Sequence, residues 1–409
     1  MKIGVQKFGG TSVSSREMRE RAIAHIEKAL EDPNMHIVVV VSAMGRIGEP
    51  YATDTLLSLI PDSDTASMRD RDLLMSCGET ISAVVFGSML RSYGHDVAVL
   101  TGFQAGIKTT QDFGNARIET IDPTRILAEL KAKRVVVVTG FQGAAAEHEI
   151  TTLGRGGSDT TATALGVALD AMWIDIFTDV DGIMTADPRI VDSVSKLDRV
   201  TYNEICNLAY AGAKVIHPRA VELAMQKNIP IRVRSTMSDD EGTLVTNETP
   251  MLESRMTNDR ILTGVTHTTN ITQLKVTSPT GKKGFQAEVF QTVAKAGISV
   301  DFFNVTPHEV AFTVPKGRAK EAVSLLMAKE MDVHTVSEVA KVSAIGAGIH
   351  GVPGVMARIV QILTLAEIEI LQSADSNTTI WCLVHEHDAI AAVRAIHDHF
   401  DLSLRGGDR

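Results

Sequence analysis

Two glycine-rich turns and one acidic loop hold the side chains best placed to do chemistry. Lys7-Phe8-Gly9-Gly10-Thr11-Ser12 closes a strand-like run and precedes a helical pattern that starts near Ser15. Paired glycines let a backbone approach phosphate closely, a helix start offers free N–H groups, and Lys7 adds a cation. The pattern is either an anion cradle or a plain strand-to-helix turn with a surface lysine. It is not a P-loop, because G-x-x-x-x-G-K-[ST] occurs nowhere in the chain. The second turn, Gly154-Arg155-Gly156-Gly157-Ser158-Asp159-Thr160-Thr161, opens a helix rich in small residues. Arg155 can pair bidentately with a carboxylate, the helix start favours anions, and Asp159 can orient a neighbouring lysine. An ordinary Ser/Asp helix cap is the plainer alternative. In the third, Thr178, Asp179, Asp181 and Asp187 crowd with Arg189 into a loop containing Gly182 and Pro188, which a solvated turn would also explain. Lys214, in AGAKVIHPRA, contributes one more cation.

These loops need rigid elements to present them. Short β-branched runs at 3–8, 37–41, 135–139, 174–178 and 229–233 each end in a small-residue loop and alternate with amphipathic stretches. That alternation predicts an α/β domain whose sheet is covered by helices on both faces, with ligands beyond the carboxyl ends of the strands. Residues 1–245 form this domain and the polar stretch 246–260 reads as a linker. Beyond the linker lies an internal repeat: a shift of 70 residues pairs Gly284 with Gly354, Gln291 with Gln361, Ile298 with Ile368 and Val314 with Val384. Each copy reads strand, helix, strand, strand, helix, a split βαβ pattern of ferredoxin-like type, giving domains at 261–338 and 339–409. A strand-like ILTGVTH from Ile261 lies outside the repeat register and is expected to join the sheet of the second copy. Cutting the chain before it should then remove the repeat cleanly. Gly346-Ala347-Gly348-Ile349-His350-Gly351 matches G-x-G-x-x-G, but a copy this small has no room for two mononucleotide-binding halves.

Composition narrows the partners. The 409 residues hold 40 Lys+Arg against 50 Asp+Glu, a net charge of -10, and only 4% aromatics, which disfavours nucleic acid. Cys77, Cys206 and Cys382 form no CxxC pair, fit a reducing compartment, and are expected to be small buried hydrophobes. No signal pattern opens the chain and its aliphatic runs fall short of the ~18 residues a membrane span needs, so a soluble, cytoplasmic protein without a membrane partner is expected.

Taken together, KFGGTSV from Lys7, SCGET from Ser76, TTLGRGGSDTTA from Thr151, FTDVDGIMTADPR from Phe177 and GAKVIHPRA from Gly212 resemble the aspartokinases. These are amino acid kinases with two C-terminal ACT domains. The segments ISVDFFNVTP, GVPGV and LQSADS are most similar to the diaminopimelate-sensitive, single-polypeptide type of Bacillus-like bacteria. The resemblance implies phosphoryl transfer from ATP, with Mg²⁺ bound to it, to the side-chain carboxylate of L-aspartate. The product, 4-phospho-L-aspartate, opens the route to diaminopimelate, lysine, threonine and methionine. It further implies that Lys7 is the catalytic cation, oriented by Asp159, and that Thr53, Glu79, Arg155 and Ser158 bind aspartate. Thr55 competes with Thr53 as the match. Lys7, Phe8, Gly9, Gly10, Ser42, Thr178, Asp179, Met184, Thr185, Ala186, Asp187, Pro188, Arg189 and Lys214 fall on the nucleotide side. No side chain is implied as a metal ligand. Diaminopimelate or lysine is the implied effector, contacting Gly281, Lys282, Lys283, Gly284, Phe285, Gln286 and Asp301 in a homodimer formed through the ACT domains.

Overall fold

The five expected strands lie side by side in one eight-stranded sheet. Its order is Arg199–Val200, Thr243–Val245, Ile231–Ser235, Trp173–Thr178, Lys2–Phe8, Met35–Val41, Val135–Thr139 and Val97–Leu100. From Ile231–Ser235 to Val97–Leu100 every neighbour is parallel. The structure, a computed structural model, describes residues 1–60, 66–213, 215–247, 261–278 and 284–403. Strands buried on both faces read as near-continuous aliphatic runs, as Ile37–Val41 and Val135–Val138 do inside strands Met35–Val41 and Val135–Thr139. Ile37, Val39, Val41, Val135 and Val137 share one core with Ile23 and Ile26 of helix Arg16–Ala29 and Phe86 and Leu90 of helix Met68–Ser92. On the opposite face helix Gly157–Ala168 comes so near that a Cβ on Gly166 would lie 2.5 Å from Ile174.

Helix Met68–Ser92 has 25 residues and is apolar enough over 18 of them to cross a membrane, longer than the aliphatic runs suggested. It is a core helix here, burying Asp72, Ser76, Glu79 and Ser82 beside Phe86 and Leu90. A second sheet of very short strands, Ile118–Ile121, Ile107–Thr109, Gln142–Ala144 and Ile150–Thr152, was not expected. Its last strand runs straight into the turn that carries Arg155. Cys206 and Cys382 are buried as expected, whereas Cys77 is exposed, because it points away from the packed face of its helix.

The chain divides into two compact units, and the division does not follow residue 245. Met184–Ser195 and Ala211–Ala213 fold with the C-terminal unit. Ala186 and Val191 belong to the core of the second repeat copy, and Thr185 hydrogen-bonds the buried His397 at 2.9 Å. A cut before Ile261 is therefore not clean, since it strips that core from residues 184–195.

The C-terminal unit is one six-stranded sheet ordered Asp301–Val305, Glu309–Pro315, Gly264–Thr277, Asp332–Ile345, Thr379–His385 and Gln372–Asp375. Helices Phe285–Lys295 and Lys316–Met327 cover the first copy's core, and Val355–Leu365 and Ala389–His399 the second's. Two 14-residue strands run through both copies. Gly264 to Thr268 pair antiparallel with Ile345 to Lys341, so the extra N-terminal segment completes the second copy. Gly346 serves this packing: a Cβ there would lie 2.2 Å from the Ile261 carbonyl oxygen, which accounts for the glycine without a dinucleotide.

Candidate active site

Parallel strands bring their carboxyl ends to one edge, and backbone bonds stitch the loops together there. Gly9 N–H donates to Phe177 O at 3.3 Å, Ser42 N–H to Phe8 O at 3.1 Å, and Gly140 N–H to Val41 O at 2.9 Å. Lys7 is the next-to-last residue of the first strand, and its Nζ lies 2.7 Å from Asp159 Oδ1. Both side chains are nearly buried, at 11% and 13% exposure, so the ammonium group is held rather than free to wander. A Cβ on Gly9 would sit 3.4 Å from that ammonium, and one on Gly10 would lie 2.6 Å and 2.8 Å from the carbonyl oxygens of Gly45 and Ala43. Only glycine fits at Gly10. The result is a bare backbone turn beside a fixed cation, which suits a polyphosphate.

Glu79 reaches the same edge from the long helix. Its Oε1 accepts the Ala43 N–H at 3.1 Å, and Oε2 has no partner among the described residues. Burial pushes its carboxyl up to about 8, against the smaller opposing pull of that N–H. A buried acid with one unpaired oxygen is a receptor for a cation. Ser158, in the first turn of helix Gly157–Ala168, presses against Gly140, where a Cβ would lie 2.7 Å from its hydroxyl. Arg155 is exposed, on the turn between Gly154 and Gly156, both at positive φ. Thr55, inside helix Thr53–Leu57, is engaged, its Oγ1 accepting the Gly48 N–H at 3.0 Å, while the half-buried Thr53 begins that helix.

Several residues expected on the nucleotide side have partners within the chain. The Phe8 ring is fully buried and stacks on Phe177 at 4.7 Å, which leaves only its backbone near the loops. Asp179 is paired with Arg46 and accepts the Thr178 hydroxyl at 3.1 Å. Of the six residues from Met184 to Arg189, Thr185 spends its hydroxyl on His397 and on Ser195 N–H, Ala186 is core, and Asp187 binds Arg189 at 2.6 Å. All six fold with the C-terminal unit. Lys214 lies outside the described residues. No group of three His, Cys, Asp or Glu able to hold a metal occurs among the described residues. A cavity of about 510 Å³ lined by Glu27, His95, Lys133 and Arg134 opens where the strands begin, at the far end of the sheet from this chemistry.

Sequence reasoning missed His217 and Asp72. The His217 ring packs under the glycine turn, so close that a Cβ on Gly156 would lie 2.3 Å from its Cγ. Its Nδ1 accepts the Arg219 N–H at 3.3 Å, and burial lowers its pKa, so it is neutral. Asp72 stands one apolar-face repeat before Glu79 on the same helix, a spacing that could have flagged it.

Residues 2–235 match the amino acid kinase family and residues 335–398 match an ACT domain. Aspartokinase 1 of Bacillus subtilis is 54% identical over 404 residues, covering 98% of this chain and 100% of its own. The chain belongs to the aspartokinases of the amino acid kinase family. Aspartokinase of Corynebacterium glutamicum is 37% identical, with 98% of this chain and 97% of its own covered. Among solved structures, E. coli aspartokinase III in complex with aspartate and ADP superposes with a TM-score of 0.80 at 28% identity, covering 97% of this chain and 99% of that one. The same enzyme in complex with lysine and aspartate gives 0.72. An aspartokinase is an ATP-dependent kinase.

Proposed function

We propose that the Lys7–Asp159 edge of the first unit transfers the γ-phosphoryl group of ATP to the side-chain carboxylate of L-aspartate. The observation that carries this reading is the fixed ammonium of Lys7 beside Gly9, with the unpaired Glu79 oxygen on the same edge. An aspartate carboxylate has a pKa of about 4 and is ionised at neutral pH, so the nucleophile needs no general base. The difficulty is bringing two anions together, which alignment and a preorganised cation solve. In this account Lys7 stabilises the charge on the transferred group, Asp159 holds Lys7, and Gly9 and Gly10 admit the phosphates beside Ser42 and Thr178. Glu79 and Thr53 receive the α-ammonium end of aspartate, and Arg155 with Ser158 the α-carboxylate. Mg²⁺ bound with ATP would offset part of the phosphate charge. The product feeds synthesis of diaminopimelate, lysine, threonine and methionine, in the cytoplasm, where ATP and reduced thiols are found.

The repeat supports feedback control by an amino acid, diaminopimelate or else lysine, in a homodimer built through the ACT domains. The E. coli relative was solved with lysine bound. Among the residues expected to contact an effector, Gln286 donates to the carbonyls of Thr306 and Pro307 at 3.1 and 3.3 Å, and Asp301 pairs with Lys341. The Phe285 ring is core, leaving its backbone as the group an effector could meet; Gly284 caps the helix at φ 81. Gly281, Lys282 and Lys283 lie outside the described residues. One assay tests both parts: ADP release by the full chain should require ATP and aspartate together and fall when diaminopimelate or lysine is added. Coupling of ordinary size would change aspartate affinity roughly 5- to 150-fold. Activity indifferent to diaminopimelate, lysine and threonine, singly and in pairs, would make the repeat structural, and release independent of aspartate would remove the substrate assignment.

A further inference from the structure

Asp72 is fully buried on helix Met68–Ser92, two turns before Glu79 and on the same face. Its Oδ2 accepts the Gly114 N–H at 2.9 Å and the Thr152 N–H at 2.8 Å, and its Oδ1 accepts the Thr152 hydroxyl at 2.8 Å. A carboxylate is kept in such a place only where donors satisfy it, and here all the donors come from two segments that frame the Arg155 turn. Thr152 ends the strand Ile150–Thr152, three residues before Arg155. Gly114 begins the turn against which Gly154 is pressed: a Cβ on Gly154 would lie 3.0 Å from Asn115 Oδ1 and 3.2 Å from Gly114 O. Thr152 O accepts the Ala116 N–H at 2.9 Å, closing the frame. The long helix thus carries Glu79 directly and ties the base of the Arg155 turn through Asp72.

We propose that Asp72 is a positioning residue that fixes the Arg155 turn against Glu79, so that Cα of the substrate is anchored and the reach of its side chain decides between a four-carbon and a five-carbon amino dicarboxylate. This rests on the pocket assigned above. A rigid span matters because a positional error of ~1 Å can cost about a hundredfold in rate. A merely structural carboxylate would affect aspartate and ATP alike. Asp72 bears on the aspartate pocket alone.

The test compares Asp72→Ala, Thr152→Val and Asp72→Asn in the full chain, measuring KM for aspartate and for ATP and the aspartate-to-glutamate ratio of kcat/KM. Asparagine can keep every bond, its oxygen accepting both N–H groups while its amide donates to the Thr152 hydroxyl. Asp72→Asn should therefore stay within about threefold of wild type in aspartate KM. Asp72→Ala and Thr152→Val should raise that KM, by about tenfold or more for the alanine change, and narrow the substrate ratio, with ATP KM steady within about twofold. Should Asp72→Ala fail to fold, Thr152→Val and Asp72→Asn decide the matter. A folded Thr152→Val protein with unchanged aspartate KM and ratio, or parallel rises in both KM values, would overturn the proposal. Arg155→Ala separates the two levels. If it leaves aspartate KM unchanged, the pocket itself is misassigned; if it raises KM while the Asp72 and Thr152 variants do not, only the positioning role fails.

Discussion

Lys7→Ala should lower kcat by at least ~10²-fold, the scale seen when one preorganised donor to a transition state is removed. The expectation is large because the lysine is held in place: its ammonium is 2.7 Å from Asp159, nearly buried and beside a backbone turn that tolerates no side chain at Gly10. Water or a mobile cation can replace its charge but not its position, and reorganising solvent at the moment of transfer is what such a site avoids. The strand should survive the change, because the sheet register of Lys2–Phe8 rests on backbone pairing with both neighbours. Steady-state kinetics with circular dichroism checks this. A folded alanine variant with near-normal kcat would return Lys7 to the role of an ordinary charge.

Glutamate should be phosphorylated about a hundredfold less efficiently than aspartate. With the ammonium end fixed on the Glu79 oxygen and the α-carboxylate on Arg155, an added methylene pushes the reacting carboxylate off the line of attack. A pocket that held Cα loosely would let the longer acid slide back into line. Trapping the acyl phosphate with hydroxylamine measures the outcome, and equal hydroxamate yields from the two acids would show that Cα of the substrate is not held in place.

The sheet was legible because two of its strands, Met35–Val41 and Val135–Thr139, carry continuous aliphatic runs, and a run such as that from Ile37 to Val41 has few other stable homes. The repeat was legible because two copies of one pattern reinforce each other, and the strand that starts near Ile261 was recognisable as an outsider to their register. The three-residue strands Ile107–Thr109, Gln142–Ala144 and Ile150–Thr152 were not, since no period can be read from so few residues. The pairing of Lys7 with Asp159 joins residues far apart in the chain and came from motif resemblance; geometry then supplied the distance. Residues 184–189 show the converse. Asp187 and Arg189 look like ligand-binding groups in sequence and pair with each other, while Thr185 and Ala186 are buried by contacts with His397 and the second ACT core that no local pattern announces. The Phe8 side chain alternates to the packed face while its backbone borders the loops.

The pH dependence of kcat/KM for aspartate tests most directly whether Glu79 receives the substrate ammonium. Burial holds the Glu79 carboxyl at about 8 in the free protein, so at pH 6 to 7 it is mostly protonated and must lose that proton to receive a cation. Aspartate binding should therefore release a proton, and kcat/KM should climb about tenfold per pH unit before levelling near the Glu79 pKa. Glu79→Gln should be slow and flat over the same range, since an amide has no proton to shed. A wild-type profile flat from pH 6 to 8, or the same slope persisting in Glu79→Gln, would contradict the assignment of Glu79 and with it the two-point grip on Cα of aspartate.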